Sequence, residues 1–256
     1  MLLELKFALM VAGLPGKSSY NLVMKKIKTK FLVRGGEDGE RLFLRDLKFD
    51  TLGGYKVKVA KTNEPGIDMY DLIARHKGRY GLLSLFSRPG YRILDFPCGS
   101  GYAAELLKDY GVIYEGLDLD SITIEYARRI YGNNKTSFGI GDLCLPKLGE
   151  NKYDVIGCIE GLEHIEQRPQ NDLIRAFHKA IKPGGVLIIS SPENKTGISG
   201  PSKMNPYHKW ELSKKDFLDL LHKSFGNKNV ELITHEAILS PGLVRMTCLY
   251  GVCRKI

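Results

Sequence analysis

From residue 68 onward the chain alternates between two hydrophobic rhythms. One is the short, nearly continuous apolar run of a buried strand; the other is the three-to-four spacing of an amphipathic helix. The pattern predicts a helix over 68–85, a strand over 93–96, and a helix over 102–110 stopped by Gly111. A strand over 112–117, a helix over 121–131 ended by Gly132, and a strand over 136–140 follow. Residues 153–159 read as a buried strand. Residues 170–181 read as a helix with Leu173, Ile174, Phe177 and Ile181 on its apolar face. After the turn Pro183-Gly-Gly185 comes a strand over 186–190. Ser213 caps a helix running to Phe225, with Asp216 three residues on. Two closing strands, 230–238 and 243–252, lie close enough in sequence to pair antiparallel. Repeated strand–helix alternation predicts an α/β fold, a doubly wound, mostly parallel sheet covered by helices on both faces.

Residues 1–62 follow a different pattern. Tyr55-Lys-Val-Lys-Val59 alternates strictly, and Arg34-Gly-Gly-Glu-Asp-Gly39 and Leu52-Gly-Gly54 are turn signals, so this stretch reads as a small β-rich appendage. Lys61–Gly66 reads as a linker, and residues 67–256 as the main domain. The charge follows the same division. The whole 256-residue chain carries +9, and residues 1–60 hold twelve Lys or Arg against six Asp or Glu. Such a surface suits an acidic partner, or it is a solvated edge whose lysines discourage strand pairing. The absence of aromatic–basic interleaving favours the edge over nucleic acid. No apolar run approaches the roughly 20 residues of a membrane span, and Glu4 and Lys6 interrupt the leading segment as an export signal would not allow. Five cysteines, an odd number with no CxxC pair, suit reduced thiols in a cytoplasmic protein without a cysteine zinc site. Met24 is an alternative start.

The chemistry gathers after the strands, where open α/β sheets bind their ligands. Gly13–Ser18 imitates the tail of a phosphate loop, but Val11 stands where the first glycine belongs, so it is a plain loop. The sequence Ile93-Leu-Asp-Phe-Pro-Cys-Gly-Ser-Gly-Tyr102 is a stronger signal. Gly99-Ser-Gly101-Tyr-Ala-Ala104 matches GxGxxA, and Asp118 lies at the distance expected of a ribose acid in a nicotinamide fingerprint. More of the sequence fits another reading. Asp95 leads the glycine loop, Asp118 and Asp142 end the next two strands, Glu160-Gly-Leu-Glu163-His164 follows the fourth, and Lys182-Pro-Gly-Gly185 precedes the fifth.

That ordered set, over about residues 70–256, resembles the class I S-adenosylmethionine-dependent methyltransferases, in particular their ubiquinone-pathway-like and surface-polysaccharide-associated branches. The resemblance implies S-adenosyl-L-methionine as cofactor and methyl transfer as the reaction. It implies that Asp95, Cys98, Gly99, Gly101, Asp118, Leu119, Asp142, Leu143 and Glu160 form the cofactor site. Asp95 would offset the cationic methionine end, Asp118 would accept the ribose hydroxyls, and Asp142 with Leu143 would flank the adenine. Asp120, just ahead of Ser121, reads instead as a helix cap. Pro97 replaces the usual first glycine, which the loop tolerates if its N–H makes no contact and its φ is negative.

His164 and His208 are the candidate general bases for a small-molecule or sugar hydroxyl. Glu160, Glu163 and His164, with the distant His208, also resemble the divalent-cation set of the small-RNA 3′-end 2′-O-methyltransferases. The same Glu-x-Leu-Glu-His form is common in metal-free members, and no metal is assigned here. The alternatives are therefore metal-assisted RNA methylation, a non-catalytic cofactor-binding scaffold subunit, and, on the GxGxxA match alone, a nicotinamide oxidoreductase. His76, His178, His222 and His235 read as structural or solvent-facing. Trp210 either lines the acceptor pocket or packs.

Overall fold

The computed structural model describes residues 77–194, 196–203, 205–239 and 244–256, together with the backbone of two strands further upstream. Those two, β1 (Leu32–Gly36) and β2 (Gly39–Phe43), pair antiparallel from Leu32 opposite Phe43 to Gly36 opposite Gly39. The expected turn at Arg34–Gly39 thus joins a hairpin. The expected strand at Tyr55–Val59, the first half of the helix over 68–85, His76 and Met24 lie outside the described residues.

The main body follows in the order α1 (Gly81–Phe86), β3 (Arg92–Asp95), α2 (Ala103–Leu107), β4 (Ile113–Asp118), α3 (Ser121–Tyr131), β5 (Thr136–Ile140), β6 (Tyr153–Cys158), α4 (Gln167–Ala180), β7 (Ile181–Pro192), α5 (Lys214–Phe225), β8 (Val230–Leu239) and β9 (Val244–Arg254). The seven strands from β3 onward form one sheet in the order β5-β4-β3-β6-β7-β9-β8. Pairings from β5 through β7 are parallel; β9 runs antiparallel to both its neighbours. The expected doubly wound, mostly parallel sheet is therefore present.

Buried side chains divide into two groups, one on each face. Leu82, Leu83, Ala103, Leu107, Ile124, Tyr126 and Ala127 bring α1, α2 and α3 onto one face. Leu173, Ile174, Phe177, Phe217, Leu221 and Phe225 bring α4 and α5 onto the other. Phe177 meets Phe96 edge-on at 6.3 Å between ring centroids. Caps behave as read. The Asp120 carboxylate accepts from the Ile122 N–H (3.2 Å) and the Thr123 hydroxyl (2.5 Å). Ser213 Oγ accepts from the Asp216 N–H at 3.1 Å.

One boundary differs. The strand expected from Val186 already begins at Ile181, which pairs with Tyr153, before the register jumps to Val155 opposite Val186. Pro183-Gly-Gly185 is thus an irregularity within β7 rather than a turn ahead of it. Gly184 takes φ 79°, and a side chain on Gly185 would meet the Asp154 carbonyl at 2.8 Å. No helix among the described residues is long and apolar enough to cross a membrane.

Candidate functional site

From β3 the chain winds outward through β4 to β5, then returns across β3 to continue through β6 and β7. Connections therefore leave β3 and β6 in opposite directions and open a cleft at their carboxyl ends, the usual ligand position in such a sheet.

The glycine loop lines this cleft. Its backbone is tied to the sheet by Phe96 N–H to Gly157 O and Cys98 N–H to Leu117 O, each 2.8 Å, and closed by Gly101 N–H to Cys98 O at 3.0 Å. Its two glycines do different work. Gly99, at φ 52°, faces open space, with nothing within 4 Å of a would-be Cβ. Gly101, at φ 80°, is pressed against the fold. A Cβ there would lie 2.6 Å from a Phe138 ring carbon and 2.8 Å from Ala127 Cβ. A glycine at 101 thus also serves helix–sheet packing. Cys98 is buried in the core, and its backbone N–H and carbonyl are both engaged internally. Pro97 follows a cis peptide bond, and its ring fills the space where a Gly161 side chain would stand.

Asp95, expected to face the methionine end, is fully buried. The Tyr114 hydroxyl donates to its Oδ2 at 2.6 Å, and the Tyr80 hydroxyl to its Oδ1 at 3.5 Å. Burial pushes its carboxyl up to about 7, against the lowering effect of both hydroxyls, with nearby Asp118 adding to the rise. Its folded value exceeds its unfolded value, so the folded state binds the extra proton and wild-type stability falls as pH rises from about 4 to 7. Asp95→Asn has no proton to lose there. Its stability relative to wild type will therefore improve between pH 4 and pH 8, by up to about 4 kcal/mol. Urea unfolding of both proteins across that range checks this. The fixed cost of exchanging an oxygen for NH2 drops out of the slope.

Asp118 ends β4 and is 2% exposed. Its Oδ2 accepts from the Gly99 N–H and its Oδ1 from the Asp120 N–H, both at 3.0 Å. Asp120 is the cap described above. Leu119 is 54% exposed, whereas Leu143 is nearly buried. Asp142 lies just beyond β5, where its Oδ1 accepts from the Cys144 N–H at 2.8 Å and shapes the turn.

Across the cleft, Glu160 follows β6 with φ 51°, a left-handed conformation that costs on the order of 1–3 kcal/mol for a side chain of this kind. Ser190 holds it twice, accepting from its backbone N–H (3.0 Å) and donating to its Oε1 (2.9 Å). Its Oε2 lies 3.2 Å from Arg79 Nη2. The sequence analysis missed Arg79, which precedes α1 and carries no motif. Glu163, His164 and His208 come together, with one ligand-capable atom of each within 4.8 Å of the others. Glu160 belongs to the arginine, not to that group.

The imidazoles are oriented. His164 Nδ1 lies 3.0 Å from the Tyr207 carbonyl, which can only accept, so Nδ1 carries the proton and Nε2 the lone pair. His208 Nδ1 meets Glu211 Oε1 at 2.7 Å, and its Nε2 meets Asn205 Nδ2 at 3.0 Å. The rings stand edge to face, 5.1 Å between centroids. Gln170 stitches this loop by donating to the carbonyls of Leu162 and Trp210 at 3.1 and 3.2 Å. Glu163 is 1% exposed, and its Oε2 has no hydrogen-bond partner. Burial and the neighbouring Glu160 hold its carboxyl well above the usual carboxylate range. Trp210 Nε1 is likewise buried and unpartnered.

A doubly wound sheet, a glycine turn opening on the cleft and acids after β4 and β5 define a nucleotide-cofactor-binding α/β protein. A family model described as a methyltransferase domain matches residues 68–236. The chain belongs to that family, the class I S-adenosylmethionine-dependent methyltransferases. It is 29% identical over 133 residues to a probable S-adenosylmethionine-dependent methyltransferase of Mycolicibacterium smegmatis, covering 52% of this chain and 50% of that protein. It is 28% identical over 105 residues to the ubiquinone biosynthesis O-methyltransferase of Pseudomonas aeruginosa, covering 40% and 44%. The chain thus spans about half the length of the curated relatives it matches. A phosphoethanolamine N-methyltransferase of Haemonchus contortus, solved with phosphomonomethylethanolamine and S-adenosylhomocysteine, superposes with a TM-score of 0.56 at 14% identity. That likeness covers 70% of this chain and 52% of that one, and speaks to the fold.

Proposed function

We propose that this protein transfers the methyl group of S-adenosylmethionine to a hydroxyl of a small-molecule or sugar acceptor. The observation that carries this reading is the oriented His164, its lone-pair nitrogen set by the Tyr207 carbonyl. Asp118 takes the ribose hydroxyls, Asp142 and Leu143 flank the adenine, and Leu119 offers exposed apolar surface beside them. S-adenosylmethionine would supply an activated methyl group on its sulfonium, and His164 Nε2 would take the proton of the acceptor hydroxyl as that methyl leaves sulfur. The sulfonium is already activated, so the protein's task is mainly positioning and desolvation. Trp210 packs against the core of the sheet's second face, the packing role of the two open to it. Five free thiols suit a reducing compartment such as the cytoplasm.

Calorimetric titration with S-adenosylmethionine, S-adenosylhomocysteine and NAD is the test, followed by a methylation screen over hydroxyl and amine acceptors. Binding of the first two without NAD, and turnover on a hydroxyl, is the expected result. Tight NAD binding alone points to an oxidoreductase. Cofactor binding without turnover on any acceptor points to a scaffold subunit.

One observation favours a second reading, metal-assisted 2′-O-methylation of an RNA end. The unpartnered Oε2 of buried Glu163 stands in a cluster with His164 and His208, a donor set of oxygen and nitrogen that fits a divalent cation. Those three residues would hold it, and the ion would lower the pKa of an acceptor hydroxyl. This reading predicts activity abolished by a chelator and RNA binding that weakens steeply with salt.

A further inference from the structure

The buried face of α4 holds one polar side chain. Gln170, Leu173, Ile174 and Phe177 recur at helical spacing, and none is more than 1% exposed. An amide in such a row costs stability unless its hydrogen-bonding groups are used. The Nε2 of Gln170 is used heavily. It donates to the carbonyls of Leu162 at 3.1 Å, Ile165 at 3.4 Å and Trp210 at 3.2 Å.

Those three carbonyls belong to the two segments that carry the imidazoles. Leu162 and Ile165 bracket Glu163 and His164, in a single 3-10 turn over Leu162–His164. So short a turn holds itself weakly. Its own bond from the Ile165 N–H to the Leu162 carbonyl is long, at 3.4 Å. Trp210 lies just beyond His208 on the other segment. Two further hydrogen bonds join the segments: the Trp210 N–H donates to the Glu163 carbonyl at 3.2 Å, and His164 Nδ1 meets the Tyr207 carbonyl at 3.0 Å. Gln170 belongs to neither segment. It stands on α4, which is fixed to the sheet through Leu173, Ile174 and Phe177, so its amide ties both segments to the core.

The Tyr207 contact is the one on which a base depends. A carbonyl only accepts, so it keeps the proton on His164 Nδ1 and the lone pair on Nε2. Hydrogen bonds weaken steeply with distance and angle. The contact therefore lasts only while the two segments keep their spacing.

We propose that Gln170 is a positioning residue for His164. Its amide sets the spacing between the 162–165 turn and the 207–210 segment, and through that spacing the tautomer of the base. The proposal rests on the reading of His164 as general base given above.

The test uses Gln170→Met, which keeps the length of the side chain and removes the donor. Its affinity for S-adenosylhomocysteine, measured by calorimetry, will stay within about twofold of wild type, since the proposed cofactor contacts lie on other segments. That result also shows that the variant folds. Its kcat will fall on the order of 10²-fold, the effect of a misplacement of about 1 Å. In a His164→Gln background the same substitution will cost less than about twofold more, because a residue acting through His164 has nothing left to act on. Nitrogen-correlation NMR spectra of isotope-labelled histidines, with His164 identified by its loss in His164→Gln, will show the Nδ1–H tautomer in wild type and its loss in Gln170→Met. Gln170→Asn keeps the amide one methylene short; its kcat will lie between those of wild type and Gln170→Met, and it takes the place of Gln170→Met if that variant does not fold. Losses that multiply in the double variant, or an unchanged His164 tautomer in Gln170→Met, overturn the proposal. A His164→Gln enzyme with wild-type kcat overturns instead the reading of His164 as base, and the tautomer spectrum alone then decides the role of Gln170.

Discussion

Asp118→Ala will weaken S-adenosylhomocysteine binding by about a hundredfold or more. The estimate follows from the two hydrogen bonds by which a carboxylate holds a pair of vicinal hydroxyls. The carboxylate also accepts backbone N–H groups from Gly99 and Asp120. Two charge-assisted hydrogen bonds at about 1.5–3 kcal/mol each amount to at least a hundredfold. Removing the carboxylate also frees the Gly99 N–H, so the loop that faces the cofactor loses an anchor. The two contributions can be separated. A 2′-deoxy analogue of the ligand will bind wild type more weakly than the parent does, but will bind Asp118→Ala with the parent's affinity. Asp118→Asn, which keeps one acceptor oxygen, will fall between. If the deoxy analogue is still discriminated by Asp118→Ala, the ribose lies elsewhere.

This acid shows what one-dimensional reading can reach. Asp118 and Asp120 are two residues apart, yet the position of Asp120 ahead of Ser121 was enough to assign it to the cap. Capping is local, and so is strand–helix alternation; both leave their mark within a window of a few residues. The same holds for Ser213 and Asp216, and for the closing antiparallel pair. The features out of reach of the sequence are those decided through space. Gly101 looks like Gly99 in sequence, but only the folded sheet brings Phe138 and Ala127 against it. Asp95 looked like a cleft acid because it ends a strand. Tyr80 and Tyr114, on two different segments, enclose it, and no periodicity announces where a hydroxyl will point. Arg79 acquires meaning only from Glu160, 81 positions later. Likewise Pro183-Gly-Gly185 has the composition of a turn, but the pairing of Ile181 with Tyr153 absorbs it into the strand.

His164→Gln will lower kcat by about 10²- to 10⁴-fold, the range of a lost general base, with KM for the cofactor little changed. The choice between the two histidines rests on their hydrogen bonds. His208 has one nitrogen on the Glu211 carboxylate and the other on the Asn205 amide, so both are committed to the protein. His164 has its Nδ1 proton on the Tyr207 carbonyl, so the neutral ring carries its lone pair on Nε2. His208 then acts by orienting His164 edge-on, and His208→Gln will cost less than His164→Gln. The acid limb of the pH–kcat profile, where the base becomes protonated, will be lost in His164→Gln and retained in His208→Gln. Glu163 separates this mechanism from a metal centre. Its buried carboxyl, held well above the usual carboxylate range, resembles an amide in charge and shape, so under base catalysis Glu163→Gln will stay within a few-fold of wild type. A divalent cation needs that carboxylate and both imidazoles. Under metal assistance Glu163→Gln, His164→Gln and His208→Gln will therefore fall together, and chelation of the wild type will match them.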